Sequence, residues 1–276
     1  MKGVSNSAVG ALTTVRPGGK PCVRACGCGR VPGMRIIFSR KGFDSAAGGG
    51  PSPIIDGRPV TLPIPGVPEG RTTYGSLGLG QHAAKASRGR YDEHSFCHHD
   101  PMFLPDGTCL FGQVGAAQSH LANQGVGPGD VFLFFGLFRE ERQPAHHRIF
   151  GYLAVAEVVP LNGCAPGRLD ELRLLGHPHA LRREGQDDTI YAGEGRTASR
   201  ASDTLRLTVP GASPSLWRRP DWLRQGNLTY HRRADRWMSG GRLRSAPRGQ
   251  EFVARVGSDA AARRWLDLII AEIRGS

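Results

Sequence analysis

The fold is decided by two apolar stretches, VFLFF at residues 131–135 and FGYLAVAEVV at residues 150–159. Each is a continuous apolar run of strand length, which is typical of a strand buried on both faces. A polar loop at 139–148 joins them, so the sequence predicts an antiparallel pair at the centre of a sheet. The pair is preceded by a glycine- and proline-rich turn at 127–129, which we expect Asp130 to close.

The surrounding segments add helices and shorter strands. Strands are predicted at 36–38, 189–192 and 205–209, an extended edge segment at 59–65, and helices at 77–87, 116–123, 169–175 and 260–273. Apolar residues of the last helix fall on one face at a spacing of about 3.6 residues. They are Ala261, Trp265, Leu268, Ile269 and Ile273. We therefore predict a single α+β domain around a mixed, mainly antiparallel sheet, with a C-terminal amphipathic helix.

The central strand pair is similar to the central strands of PUA-like folds, a class that includes base-reading modules. A PUA-like barrel is therefore one candidate for the core of this domain. The similarity covers the two strands and their connection, and it implies a nucleic-acid partner only as an expectation.

The chain carries a formal charge of +12 and has a pI near 10.1, which favours a polyanionic partner such as DNA or a nucleotide. Compositional bias is the alternative, because 32 of the 36 basic residues are arginine. Residues 196–248 hold twelve arginines against three aspartates, with aromatic residues between them. This pattern suits a phosphate-tracking surface with stacking side chains, and burial in the core is the favoured alternative for its tryptophans. The aromatic residues are Trp217, Trp222, Tyr230 and Trp237.

Residues 1–33 contain five basic residues, no acidic ones, and neither helical nor strand periodicity. A second methionine, Met34, lies directly before the first predicted strand. We expect 1–33 to be a disordered basic leader or a mis-assigned start, and 34–276 to be the functional domain. Three cysteines of the leader lack a matching pair at zinc-finger spacing. They are Cys22, Cys26 and Cys28.

The chain has no run of 18 apolar residues, so we expect no membrane span. The remaining cysteines are scattered and indicate no disulfide framework, and we therefore expect a cytoplasmic protein. They are Cys97, Cys109 and Cys164.

A glycine-rich loop follows the strand at 36–38 and is dense in hydroxyl, basic and acidic groups. Such a loop can present backbone N–H donors and charged side chains together, as an anion or phosphate site requires. We predict that Arg40 and Lys41 clamp a phosphate and that Asp44 acts as a general base or binds a ribose hydroxyl. The alternative is a turn held by an Arg–Asp pair. The other predicted phosphate or nucleotide contacts here are Ser39, Ser45, Gly49 and Ser52.

A second group of candidates lies at 94–100, where His98 and Asp100 are predicted to be catalytic through acid–base chemistry. Five ligand-type side chains occur in this stretch, so a divalent metal site is an alternative. One loop rarely supplies a whole coordination sphere, however, and remote ligands such as His120 or His177 would be required. We therefore predict no metal, and hydrogen bonding within the loop is the remaining alternative. The five side chains are His94, Cys97, His98, His99 and Asp100.

Amide side chains in and before the helix at 116–123 form a third group. They suit base edges, because each offers a donor and an acceptor. The helical period places Gln118 and His120 about 200° apart, so these two cannot share a face. Surface solvation and helix capping are the alternative. The predicted nucleotide contacts are Gln113, Gln118, His120 and Asn123, with Gln124 beside them and His177 or His179 from a later His-Pro-His break.

Several motifs occur in order along the chain. They are SRKGFDS at 39–45, LPIP at 62–65, HHDP at 98–101, FGQVGAAQSHLANQGV at 111–126, GDVFLFFGLF at 129–138, IFGYL at 149–153, HPH at 177–179 and GQEFV at 249–253. Together they resemble the nucleotide modification associated domain 3 family, from Met34 to about Ile273. The resemblance implies a bacterial or phage protein tied to DNA base modification. In the family an acid usually follows the HHDP segment, whereas this chain has Met102.

The leading interpretation is an enzyme, or an enzyme subunit, of nucleotide or DNA base modification that acts beside other base-modification enzymes. Its substrate would be a nucleotide or a base in DNA, with Gln118 and Asn123 reading the base. Two alternatives remain open: a non-catalytic reader of modified DNA, and a nuclease or glycosylase directed at modified phage DNA. The sequence names no cofactor.

Overall fold

The computed structural model describes residues 33–182, 184–247, 249 and 251–275. The predicted leader, apart from Gly33, lies outside the described residues. The strands are β1 (Met34–Arg40), β2 (Ser52–Ile55), β3 (Arg58–Pro59), β4 (Met102–Phe103), β5 (Thr108–Gln113), β6 (Val131–Arg139), β7 (His146–Pro160), β8 (Thr189–Thr197), β9 (Leu216–Arg218), β10 (Trp237–Met238), β11 (Arg242–Arg244) and β12 (Glu251–Gly257). The α-helices are α1 (Gly80–Ser87), α2 (Gly115–Gln124), α3 (Pro166–Leu174), α4 (Pro178–Leu181) and α5 (Ala260–Arg274). Short 3-10 helices lie at Pro68–Gly70, Asp203–Leu205 and Ala234–Arg236.

The central strands bury both faces, as their continuous apolar runs predict. In β6, Leu133 and Phe135 point into one core, whereas Phe132 and Phe134 point into the other. Successive side chains of a strand lie on opposite faces, so an unbroken apolar run requires a core on each side. The β6–β7 pair is antiparallel, and this confirms the predicted central pair.

The described residues form a nine-stranded sheet in the order β12-β1-β6-β7-β8-β5-β4, with β2 and β3 beside it. Strands β1 and β6 are parallel, while most other pairs are antiparallel. The sheet curls into a half-barrel. The curl brings β5 close to β12, although four strands separate them in the sheet order, so that Gln113 Nε2 donates to Glu251 Oε1 at 2.6 Å. The predicted single α+β domain with a mixed sheet is therefore confirmed.

Helix α5 covers one face of the sheet and confirms the predicted C-terminal amphipathic helix. Its predicted apolar face is partly wrong, because Leu268 is 66% exposed and Ala261 also faces solvent. The buried positions follow a spacing of 4, 3 and 4 residues, which holds them within a narrow angular range, whereas residue 268 lies about 100° from residue 269. They are Ala262, Leu266, Ile269 and Ile273.

The strand predicted at 205–209 does not form. Residues 206 and 208 make only isolated bridges. The reason is local: the Thr208 hydroxyl accepts from the His147 backbone N–H at 2.8 Å, while the N–H groups of Leu207 and Thr208 both donate to the His147 carbonyl. The Thr208 hydroxyl therefore accepts a hydrogen bond that a backbone carbonyl would accept in a regular strand pair.

The turn before β6 is built as expected. Asp130 accepts from the backbone N–H of Gly127 and, with its other oxygen, from that of Arg35. Helix α2 ends at Gly125, which has a φ of 69° and caps the helix in the left-handed region.

In the part of the chain that the structure describes, no helix combines the length and apolarity needed to cross a membrane. Cys97, Cys109 and Cys164 carry free thiols.

Candidate active site

A cavity of about 330 Å³ gathers candidates from three separate stretches of the sequence. It lies where β1 and β5 end, between the loop after β1, the segment before β4, and α4. The lining side chains with chemical function are Arg40, Lys41, Asp44, His98, Asp100, Gln113, His179 and Glu184. Six of these eight were predicted as site residues from the sequence, and His179 was named there as the alternative to His177.

The basic wall of the cavity is held in place by buried partners. Lys41 Nζ lies 3.0 Å from Glu251 Oε1 and 4.2 Å from the centre of the Phe111 ring. Arg40 donates to the Ala246 carbonyl at 3.1 Å. Burial lowers the pKa of the Arg40 guanidinium, and nearby Asp44 partly offsets this effect. Both cations are thus pre-oriented rather than free to swing.

Asp44 lies half-buried at the cavity wall and shapes its own loop. Its Oδ1 accepts the backbone N–H groups of Ala46 and Ala47 at 2.7 and 2.8 Å. Its carbonyl accepts the N–H of Gly49. The amides of Ala46, Ala47 and Gly49 thus serve the turn, and the charged side chains of the cavity are groups that remain available to an anion.

Two glycines of the loop are required by close packing. A Cβ at Gly48, whose φ is 93°, would lie 2.3 Å from the Phe43 ring. A Cβ at Gly50 would lie 2.3 Å from the Ala86 carbonyl oxygen on α1. The glycine run therefore has a structural cause, whereas Gly49 is exposed with open space around it.

A cluster of histidines surrounds one buried carboxylate at the other wall. Suitable ligand atoms of His98, Asp100 and His179 all lie within 4.8 Å of one another. His98 Nε2 is 3.9 Å from Asp100 Oδ2. Asp100 Oδ1 accepts the Gly112 N–H at 2.9 Å and has His177 Nε2 at 3.4 Å. The Asp100 side chain is 4% exposed, so its charge is balanced inside the protein.

His179 is oriented from behind by Asp188. Its Nδ1 shares a very short hydrogen bond with Asp188 Oδ1, and the other carboxylate oxygen accepts the Glu184 N–H at 2.8 Å. The ring packs directly on β5, because a Cβ at Gly112 would lie 2.2 Å from His179 Cδ2. Glycine at 112 thus lets the imidazole reach the Asp100 carboxylate.

The electrostatics of this cluster favour an ionised carboxylate among histidines. Burial alone would raise the pKa of Asp100, but the contacts with His177, His179 and His98 bring it well below its ordinary value. Burial lowers the pKa of His98, and Asp100 only partly opposes this. For His179, burial is outweighed by Asp188 and Asp100, which raise its pKa.

The other predicted contacts do not line this cavity. Ser39 is buried within β1, and the Ser52 hydroxyl accepts the Leu62 N–H. Gln118 accepts from the Tyr191 hydroxyl at 3.0 Å, and His120 contacts Thr229. The remaining four are Ser45, Gly49 and Asn123, which are exposed, and His177, which is buried behind Asp100.

Sequence reasoning missed Asp188 and Glu251. Both are charged residues with 1% exposure, and Glu251 Oε2 has no hydrogen-bond partner among the described residues. A charged residue at the start of an apolar strand, as in the motif at 249–253, is the signal that could have pointed to Glu251.

Two larger cavities lie nearby. One of about 840 Å³ is bounded by the exposed loop at 139–143 and by α1. Another, of about 630 Å³, adjoins the candidate site through Gly42 and Asp100. The smaller cavity is the better candidate because buried charged groups converge on it.

The arginine-rich segment is built differently. Trp217 and Trp222 are 2% and 5% exposed and belong to the core under β1, which confirms the favoured alternative for these tryptophans. Tyr230 is 47% exposed. Several guanidinium groups bond to backbone carbonyls, such as Arg219 to Leu223 and Arg236 to Ser245. These arginines stabilise segments that have no regular secondary structure.

Comparison with known protein families identifies the family of this chain. The model of nucleotide modification associated domain 3 matches residues 35–255, which is most of the chain. The chain belongs to the nucleotide modification associated domain 3 family. Membership places this α+β domain in nucleotide modification. No curated protein and no solved structure matches the chain.

Proposed function

We propose that this domain is an enzyme, or the catalytic subunit of one, which modifies a nucleotide or a base in DNA inside the cavity described above. The observation that carries the proposal is the convergence of two cations, an aspartate and a buried His–Asp cluster on one cavity. Convergence of titratable groups, some with shifted pKa values as for Arg40, Asp100 and His179, is typical of active sites. The family supplies the substrate class.

The two walls have complementary roles in this proposal. Arg40 and Lys41 hold the phosphate of the nucleotide, and the His98–Asp100–His179 cluster faces the group that reacts. Asp44 also lines the cavity and accepts a proton in this proposal through Oδ2, because its Oδ1 is engaged by the turn. A cavity of about 330 Å³ is at the lower end of the range for small-molecule sites, roughly 300–1,000 Å³.

A base within duplex DNA would have to leave the stack to enter this cavity. A free nucleotide would enter directly. Both substrates are compatible with the proposal, and both place the phosphate at Arg40 and Lys41.

The first test is nucleoside mass spectrometry on DNA and on the free nucleotide pool. The cells express the full chain together with the genes adjacent to it, as wild type or as Asp44→Asn. Asparagine keeps the Oδ1 acceptor that holds the turn but removes the carboxylate, so we expect a modified nucleoside with wild type and a loss of at least about 100-fold with the variant.

Asp106→Asn is the matched control. Asp106 also accepts a backbone N–H two residues on, from Thr108, but it lies outside the cavity. We expect full product with this variant. Identical nucleoside profiles with and without the wild-type chain would contradict the proposal.

A second candidate is a non-catalytic reader of modified DNA, supported by exposed arginines and by Tyr230 in the segment 196–248. A reader would bind modified duplex in a salt-dependent manner and leave the base unchanged. Unchanged nucleoside profiles together with tighter binding of modified than of plain duplex would favour it.

A further inference from the structure

We infer that the cavity binds one divalent transition-metal ion through His98 Nε2, Asp100 Oδ2 and His179 Nε2. The inference assigns a cofactor to the proposed site, and it rests on the proposed function only for what the ion does there. Ion binding itself follows from the geometry of the three side chains.

The spacing of the ligand atoms fits a common ion. Zinc-type ions bind nitrogen and carboxylate oxygen at about 2.0–2.2 Å, so two ligand atoms of a tetrahedral ion lie about 3.3–3.6 Å apart. His98 Nε2 and Asp100 Oδ2 are 3.9 Å apart, slightly beyond this separation. One ligand atom from each of the three residues lies within 4.8 Å of the other two. Side-chain rotations that bring these atoms together by about 1 Å therefore complete the site.

The hydrogen bonds of His179 and Asp100 leave one ligand atom of each side chain available to the ion. His179 gives its Nδ1 to Asp188, an arrangement that orients many metal-binding imidazoles and leaves Nε2 for the metal. Asp100 gives its Oδ1 to the Gly112 N–H and leaves Oδ2 directed at His98. His177 is fully buried with its Nε2 3.4 Å from Asp100 Oδ1, so it too contacts the oxygen that the ion does not use.

The donor set indicates the class of ion. Two imidazoles and one carboxylate suit zinc, iron, cobalt or manganese, whereas magnesium and calcium prefer oxygen ligands. Three protein ligands leave coordination positions open, and these face the cavity. An ion with open positions can bind a substrate oxygen or a water and make it more acidic.

The fold supplies what the loop at 94–100 cannot. A remote ligand was required for a metal site, and His179 on α4 fills that role because Gly112 lets its ring pack on β5. The expectation of no metal rested on the rarity of a whole coordination sphere from one loop, and the remote ligands named then were His120 and His177.

The experiment is a metal titration of the full chain, free of any histidine tag and stripped with a chelator. Co²⁺ is added while the visible d–d absorption is recorded, and Zn²⁺ binding is measured by calorimetry. We expect one ion per chain. His98→Gln and His179→Gln should each weaken binding by more than about 100-fold, and Asp188→Asn by about 10–100-fold.

His147→Asn is the matched control, since His147 is also buried but lies outside the cavity. It should bind with wild-type affinity. Circular dichroism of every variant shows whether the fold is kept, and the wild-type titration tests the proposal without any substitution.

Absence of a d–d band with wild type, or equal affinity of the His98→Gln and His179→Gln variants to wild type, would overturn the inference. The proposed function is tested separately. Ion binding without a modified nucleoside would support the metal site and contradict the proposed enzymatic function. Full modification by metal-free protein would show that the ion takes no part in the reaction, and it would support the enzyme.

Discussion

Two groups of buried or half-buried histidines occur in the described part of the chain, and they differ in their neighbours. His98, His177 and His179 surround the carboxylate of Asp100 beside the cavity. His146, His147 and His231 have mainly arginines as their charged neighbours instead. The same residue type is thus placed in two opposite electrostatic settings.

We call His146, His147 and His231 the arginine-side histidines, and they are neutral parts of the core. Burial and neighbouring arginines lower the pKa of His146 and His231 to about 4. Burial, with Arg40 nearby, lowers the pKa of His147 to about 3. His147 Nδ1 accepts from Trp217 Nε1 at 3.0 Å, so its role is that of an acceptor.

The comparison shows that local charge density does not locate the site. The arginine-rich segment carries most of the formal charge, yet several of its cations brace backbone carbonyls. The cavity carries fewer charges, but they are of both signs, and Lys41 and Asp100 among them are largely buried. Desolvated charges interact far more strongly than exposed ones.

The largest expected effect is on the arginine side. Trp217→Ala should lower the free energy of unfolding by about 3–5 kcal/mol, because it removes a large buried side chain and leaves the His147 acceptor without its donor. Urea unfolding followed by circular dichroism measures this. Tyr230→Ala is the control, with a smaller expected change of about 1 kcal/mol, since Tyr230 is 47% exposed and packs only in part on His120 and Phe252. Equal costs for the two variants would contradict the assignment of Trp217 to the core.

The next effect is at the cavity. Lys41→Met should destabilise the fold by about 3 kcal/mol, because it leaves the buried Glu251 carboxylate without its cation. Adding Glu251→Gln should restore most of that stability, since the unpaired charge is then gone. Additive losses in the double variant would show that the two side chains are not coupled.

The arginine-side histidines should make the free energy of unfolding depend on pH. A histidine whose folded pKa lies below about 6.5 takes up protons in the unfolded state first, so stability falls as the pH drops below that value. His147→Asn keeps an acceptor for Trp217 but cannot titrate. Between pH 7.5 and 5.5 it should lose about 1 kcal/mol less stability than wild type. Urea unfolding at both pH values measures this loss, and an equal loss of unfolding free energy in the two proteins would refute the prediction.

The smallest effect concerns exposed arginines. Arg224 and Arg232 are both exposed, so the double change to glutamine should alter the free energy of unfolding by less than about 0.5 kcal/mol. If DNA is the substrate, the salt slope of duplex binding should fall by up to about two, one for each phosphate that an arginine no longer neutralises. Fluorescence anisotropy at several salt concentrations measures the slope, and an unchanged slope would place the DNA elsewhere.

Much of the fold was predictable because it depends on local patterns. The runs at 131–135 and 150–159, the helix before Gly125 and the final helix all follow from periodicity and capping. The strand at 205–209 was wrong because the Thr208 hydroxyl replaces a ladder hydrogen bond. The face of α5 was misplaced because several faces of this helix carry apolar side chains.

The candidate site was predictable only in pieces. The sequence by itself determined which segments carry chemical groups, namely the loop after β1 and the stretch at 94–100, because composition and turn chemistry are local properties. Only the tertiary structure decided which groups meet. The curl of the sheet brings Gln113 to Glu251, and the packing of α4 on β5 brings His179 to Asp100. Such pairings depend on long-range burial and strand order, which no short window of sequence records.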